Sequence, residues 1–378
     1  MNDETILAAC GEVAATLGAR SAEIERARRL PDDVVRDLAR AGAFRMLVPR
    51  AVGGAEVRPT TLVEVIERVA RADGAAGWSV MVGATSGLMA AFIDEGAARE
   101  VYADPECVAC GVFAPMGEAA PVEGGHVVTG RWPFASGSPW ARWRMGGAVV
   151  RVEGGAPEVR HFLFEASQTE VVDTWDVSGL RGTASHDVVA REAFVPASRS
   201  ASLLTARPRH DGALYAFPFF GLLALGVSAV ALGVARASLD AFRALAVEKK
   251  PGGGKRSLAE RELVQVDVAR AEAATRAARA LVMESIADAE REARSTGAVR
   301  TETRALLRLA ATHATESSAR AVDAVYTAAG GSAIYAASPL QRHFRDVHVA
   351  TQHAMVNAST LALAGRVLLG LPTDAGML

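Results

Sequence analysis

Cysteine is scarce in this chain, with three in 378 residues. Cys10, Cys107 and Cys110 cannot build a disulfide framework, and no basic-then-apolar leader precedes them, so a reducing cytoplasm is the expected compartment. Cys107-Val-Ala-Cys110 has the spacing of a zinc or redox pair, but no second pair completes it. It therefore reads as part of a buried strand, and no metal site is expected. Aromatics make up only 6% of the residues and the formal charge is only −2. Neither a nucleic-acid partner nor strong electrostatic steering is indicated, which leaves a small molecule as the expected partner. No Gly-x-Gly-x-x-Gly fingerprint follows a strand, so nothing suggests a Rossmann site for a nicotinamide cofactor. Lys249-Lys-Pro-Gly-Gly-Gly-Lys255 resembles a phosphate cradle, yet Lys249 stands where a P-loop needs Gly and Arg256 where it needs Ser or Thr. A basic loop is the simpler reading.

Charge is missing altogether from residues 212–235, a length that raises the question of a membrane helix. Pro218, the glycines of this stretch and an amphipathic continuation past Arg236 fit a helix buried inside a bundle better, so no membrane partner is expected.

What is present has a clear order. Pro31 opens a helix whose face is Val34, Leu38 and Ala41 and which Gly42 stops. Thr61-Leu-Val-Glu64 matches a capping box ahead of Leu62, Val65, Ile66 and Val69 at helical spacing. The period then turns strand-like in Val108–Ala114, His126–Trp132, Met145–Val152, Val159–Glu165 and His186–Val195, with Glu123-Gly-Gly125 and Glu153-Gly-Gly155 as turns. Helices return from about residue 213. One is opened by a second capping box, Ser257-Leu-Ala-Glu260, and runs towards Gly297; the next runs from about Thr301 to Gly330-Gly331; a last one carries Arg345 to Asn357. The expected class is α+β, mainly α: an N-terminal helical domain over 1–107, a small β-barrel or sandwich over 108–205 and a C-terminal four-helix bundle over 206–378.

Four stretches in this order resemble the acyl-CoA dehydrogenase superfamily across nearly the whole chain. They are Ala41-Gly-Ala-Phe-Arg-Met-Leu-Val-Pro49 with Gly53-Gly54, Trp132-Pro-Phe-Ala-Ser136-Gly, Gly179-Leu-Arg-Gly-Thr-Ala-Ser-His-Asp187, and Ala329 through His353. The superfamily's familiar members place a catalytic Glu nine residues past the Arg of Arg-Asp; here that position is Ala354. Others carry the Glu on the first C-terminal helix, but residues 213–239 hold neither Asp nor Glu. Dehydrogenation of a thioester needs a carboxylate base near the flavin, and both known positions lack one. His353 beside Ala354 instead resembles the oxygen-using branch, the group D two-component flavin-dependent monooxygenases.

That resemblance implies FMN or FAD delivered reduced by a separate NAD(P)H-dependent flavin reductase, O2 as co-substrate, and hydroxylation of an aromatic or polyketide-like compound. Trp132, Phe134, Ser136 and Ser138 are the expected flavin loop, with Ser136 a hydroxyl for the N5 edge and Ser138 in reserve. Gly330 and Gly331 would let backbone approach the phosphate or adenosine end, across subunits of a homotetramer or homodimer. His353, with an unperturbed pKa near 6.5, would accept a proton from an acidic substrate group. Trp78, Met81 and the 213–239 helix would form a dry substrate pocket. Several phenol hydroxylases of the branch carry a His in the N-terminal domain, whereas Trp78 through Leu88 has none. An N-oxygenase acting on an amine or amino sugar, an acyl-CoA dehydrogenase with a relocated base, and an inactive scaffold are the rival readings.

Overall fold

A computed structural model describes residues 1–151, 157–250, 252 and 255–378. The turn at Glu153-Gly-Gly155 and parts of the Lys249–Lys255 loop lie outside the described residues. Six helices come first: α1 (Asp3–Leu17), α2 (Ser21–Ala27), α3 (Asp32–Arg40), α4 (Pro59–Ala72), α5 (Gly74–Ser86) and α6 (Glu95–Val101). Seven strands follow, β1 (Ala109–Val122), β2 (Gly125–Ala135), β3 (Trp143–Val150), β4 (Glu158–Glu165), β5 (Glu170–Val172), β6 (His186–Pro196) and β7 (Ser200–Ala201). The chain then returns to helix in α7 (Ala213–Ala216), α8 (Phe219–Glu248), α9 (Glu262–Thr296), α10 (Thr301–Ala329), α11 (Pro339–Thr351) and α12 (Ala358–Leu368). This is the expected helical–β–helical order.

The strands make one sheet in the order β5-β6-β2-β1-β3-β4-β7, antiparallel except where β1 runs parallel to β3. β1 continues eight residues beyond the expected Ala114. Pro115 and Gly117 look like strand breakers in sequence, but they sit where the β1–β3 register shifts, the kind of irregularity that tolerates a missing ladder donor. Strands β5 and β7 are three and two residues long and carried no periodic signal.

The capping box at Thr61 does not form. Helix α4 begins two residues earlier with Pro59 in its first turn, and the Thr61 hydroxyl donates to Asp3 of α1 at 2.6 Å. The box at Ser257 does form, but it closes a one-turn 3-10 segment, Leu258–Glu260, and α9 starts after it. Gly297 (φ 70°) and Gly330 (φ 55°) end α9 and α10 in left-handed backbone that suits glycine.

Helix α8 is long and apolar enough to cross a membrane, yet 89% of its apolar window is buried within the protein. It packs on α4, α5, α10 and α11. Gly226 and Gly233 let it come close: a Cβ at Gly226 would meet Met81, and one at Gly233 would meet the backbone of Glu67. The central helix thereby joins the N-terminal helices to the C-terminal bundle in one apolar core. The β domain has its own core around Trp132, Phe162 and Phe164.

Candidate active site

Strand β2 ends in a tight turn where its pairing with β6 shifts register between Trp132 and Ala135. The turn places Phe134 in left-handed backbone (φ 63°), a conformation that costs a bulky residue about 1–2 kcal/mol, and leaves its ring 70% exposed against the edge of Trp175. Two residues on, Ser136 turns inward and is 4% exposed. The Gly137 amide donates to Thr183 O at 2.9 Å, which joins this turn to the 179–187 segment.

Ser136 stands in a row of buried hydroxyls. Its Oγ is 2.6 Å from Ser185 Oγ, which is 2.6 Å from Thr183 Oγ1, and Thr183 donates to Leu180 O at 2.8 Å. From the other side the Trp78 indole donates to Ser136 Oγ at 3.1 Å. The Trp78 ring in turn meets His353 edge-on, with centroids 5.6 Å apart. Ser136, Trp78 and His353, expected separately from three distant stretches, are thus brought together.

His353 lies just past the end of α11 instead of on a helix. It opens the short 354–356 turn, and its Nδ1 accepts from the Met355 amide at 3.2 Å. Burial, reinforced by the positive charge of Arg308, pushes the imidazole down to about 4, so it is neutral at pH 7. Arg308 is itself buried in α10 and holds the turn from below, donating to Met355 O at 3.1 Å and to Thr360 Oγ1 at 3.3 Å. His348 faces elsewhere, packing on Phe344 with Nε2 3.4 Å from Asp323 of α10.

The Arg345-Asp346 dipeptide clamps the loop that carries the hydroxyls. Asp346 accepts from the Leu180 amide at 2.6 Å, while Arg345 donates to Ser178 O and to Glu25. Gly179 lies against the Arg345 carbonyl so closely that a Cβ there would collide with backbone. Burial raises Asp346 to about 7, and buried Asp73, which caps α5 through the Ala76 amide at 2.9 Å, adds to that rise. Sequence reasoning took the Arg345-Asp346 dipeptide as a landmark and not as a clamp, and did not single out Thr183 and Ser185, although these four residues lie inside stretches whose resemblance it had noted.

The other expected site residues lie apart from this row. Trp132 is 1% exposed and fills the β-domain interior, its indole donating to Gly147 O at 2.7 Å; Gly117, Gly130 and Gly146 make room for the ring. Met81 packs inward against Gly226. Ser138 is buried, and its Oγ has no hydrogen-bond partner among the described residues. Gly330 and Gly331 are exposed at the end of α10, beside exposed Ile334 and Tyr335.

The residues present fit a flavin. An exposed aromatic, a buried hydroxyl with a donor behind it and an unpartnered Ser138 Oγ sit on one turn, with an indole and a neutral imidazole adjoining. Phe134 and Ser136 would flank the ring, and Ser138 would be the reserve hydroxyl for it.

Two family models match the chain, "Acyl-CoA dehydrogenase, N-terminal domain" over residues 3–102 and "Acyl-CoA dehydrogenase, C-terminal domain" over 225–358. Indole-3-acetate monooxygenase of Pseudomonas putida is 36% identical over 360 residues, 93% of this chain and 90% of that protein. The flavin-dependent monooxygenase oxygenase subunit HsaA of Mycobacterium tuberculosis is 30% identical, covering 93% and 91%. The HsaA crystal structure superposes with a TM-score of 0.91 over 99% of this chain and 100% of that one, at 27% identity. XiaF from Streptomyces sp., in complex with FADH2 and glycerol, gives 0.91 over 98% and 96%, at 26% identity. The chain belongs to the acyl-CoA dehydrogenase superfamily. Within it, the protein is a flavin-dependent monooxygenase, the oxygenase component of a two-component system whose flavin is reduced by a separate partner.

Proposed function

We propose that this oxygenase hydroxylates an electron-rich aromatic ring bearing an oxygen function, such as a phenol or an aryl carboxylate, held between Trp78, His353 and the flavin face beside Ser136. The observation that carries the reading is the contact of His353 with Trp78 at 5.6 Å, while Trp78 is bonded to Ser136 at 3.1 Å. It ties a substrate-sized aromatic wall to the flavin-facing hydroxyl. The names of the relatives, indole-3-acetate monooxygenase among them, point the same way.

Reduced flavin, when bound, supplies the two electrons that activate O2. The chain's own residues do the rest. Because His353 Nδ1 accepts from Met355, the neutral ring carries its proton on Nε2 and offers it as a donor to the substrate's oxygen. This replaces the proton-accepting role expected from sequence: a donor at that point favours binding of an already ionised phenolate or carboxylate. Trp78 and Phe134 supply apolar surface that keeps water from the reacting face. No carboxylate from 213–239 or position 354 is available to remove a thioester α proton, which sets the reading against a dehydrogenase.

Exposed Ile334 and Tyr335 beside Gly330–Gly331 support a homotetramer or homodimer in which that corner adjoins a neighbour's flavin, and three free cysteines support a cytoplasmic setting. The test is a panel of phenols, indole-3-acetate, aryl amines and acyl-CoA thioesters, each supplied with O2 labelled with oxygen-18 and with FMN or FAD kept reduced by an added reductase. Label in an aromatic product, lost in His353→Ala and partly kept in His353→Gln, supports the reading. Label on nitrogen, or thioester oxidation without label, sinks it.

A further inference from the structure

The row of hydroxyls behind Ser136 has a direction. A carbonyl oxygen only accepts, so the Thr183 hydroxyl, 2.8 Å from Leu180 O, must donate to it; the Thr183 amide and the Trp175 indole also donate there, at 3.1 and 3.2 Å. A hydroxyl has one hydrogen. With that of Thr183 committed, the 2.6 Å contact to Ser185 requires Ser185 to donate. With the hydrogen of Ser185 committed, the 2.6 Å contact to Ser136 requires Ser136 to donate to Ser185. The Trp78 indole, which has only a hydrogen to give, already donates to Ser136 Oγ. All three hydroxyl residues are buried, so water does not compete for these bonds.

The hydrogen of Ser136 is therefore committed to Ser185, and what Ser136 has left to offer is a lone pair. We propose that Ser185 and Thr183 are positioning residues that fix Ser136 as a hydrogen-bond acceptor and so make the site select reduced over oxidised flavin. Reduced flavin carries a hydrogen on N5 and can donate to that lone pair; oxidised flavin presents an N5 lone pair that opposes it. The anchor of the row, the Leu180 peptide, is itself held by Asp346 through its amide, so the relay ends on a fixed group. Selection of this kind suits an oxygenase that must capture reduced flavin from a partner and release it oxidised. The inference rests on the flavin lying beside Ser136, as given under Proposed function, with N5 the edge that the superfamily resemblance implies for this hydroxyl.

The experiment measures dissociation constants of FMN and of FAD, each oxidised and, under anaerobic conditions, photoreduced, for the whole protein and its variants. Ser185→Ala frees the Ser136 hydroxyl to turn and donate to oxidised N5. The preference for reduced flavin is expected to fall about tenfold, the worth of the one hydrogen bond that oxidised flavin gains. Ser185→Thr, which keeps the hydroxyl, is expected to restore it. Thr183→Val removes the terminal acceptor, frees Ser185 to turn round, and is expected to act in the same direction, so the test survives if Ser185→Ala fails to fold. Equal weakening of both redox states, or an unchanged preference, overturns the relay. Ser136→Ala separates the two ideas: it is expected to abolish the preference and to make Ser185→Ala silent in its background. A preference untouched by Ser136→Ala overturns the N5 placement, and the relay with it.

Discussion

Replacing Asp346 by Asn should make the protein more stable at alkaline pH, although it alters a buried residue in a hydrogen-bonded clamp. Burial is the largest influence on this carboxyl. The Leu180 amide and the charges of Arg342 and Arg345 oppose it, the charge of Asp73 adds to it, and the result is a value of about 7. An unfolded chain would release the same proton near the ordinary value of about 3.9. As pH rises through 4 the unfolded state ionises first while the folded state keeps its proton until about 7, so stability is lost across that window and is flat above it. The gap sets a ceiling of about 4 kcal/mol. Asn keeps an oxygen for the Leu180 amide, 2.6 Å away in the parent, and has no charge to form. The variant is therefore expected to overtake the parent by about 1–4 kcal/mol between pH 5 and pH 8, read from urea denaturation at each pH. Parallel curves, or a parent that gains on the variant as pH rises, would refute the reasoning. Either would mean that Asp346 is ionised and held by Arg342 and Arg345.

Three further outcomes are expected. His353 is held down to about 4, so with an aryl carboxylate substrate, ionised throughout, kcat/KM should show no limb near 6.5 and stay flat from pH 6 to 8, while the contribution of His353 to stability is full above 6.5 and declines as pH falls towards 4; a limb near 6.5 that vanishes in His353→Gln would count against this. Trp132→Phe leaves Gly147 O without its donor and opens space against three glycines, which should lower unfolding stability by about 2–3 kcal/mol in denaturant titration. Cys10, Cys107 and Cys110 are buried, with thiols pushed up to about 12, 11 and 12, so none should react with Ellman's reagent at pH 8 until the protein is unfolded.

Much of the fold was legible because it follows from local signals. Gly297 and Gly330 mark helix ends by backbone conformation, and the uncharged α8 announces burial by composition. Elsewhere a non-local partner decided the outcome. Thr61 has the chemistry of a cap, but Asp3, fifty-eight positions away, takes its hydroxyl. Pro115 looks like the end of a strand until β3 supplies a register shift to absorb it. For the site, residue types in the right stretches led to Ser136, Trp78 and His353, whereas the direction of the hydroxyl row depends on which atom sits opposite which. No reading of types recovers that. Trp132, from the same stretch as Ser136, differs from it only by facing the other side of the strand end, a parity that the bulge at Ala135 obscures.

Phe134 combines a large exposed ring with left-handed backbone that glycine would adopt without steric cost. Under selection for thermal resistance alone, position 134 would drift to glycine, gaining about 1 kcal/mol once glycine's own entropic cost is subtracted and removing an apolar surface that invites aggregation. A library screened by heat challenge without flavin should recover that change readily, and the survivors should be poor at holding flavin. The same screen run with flavin present should keep the ring, so position 134 reports which of the two pressures a lineage of this enzyme has faced.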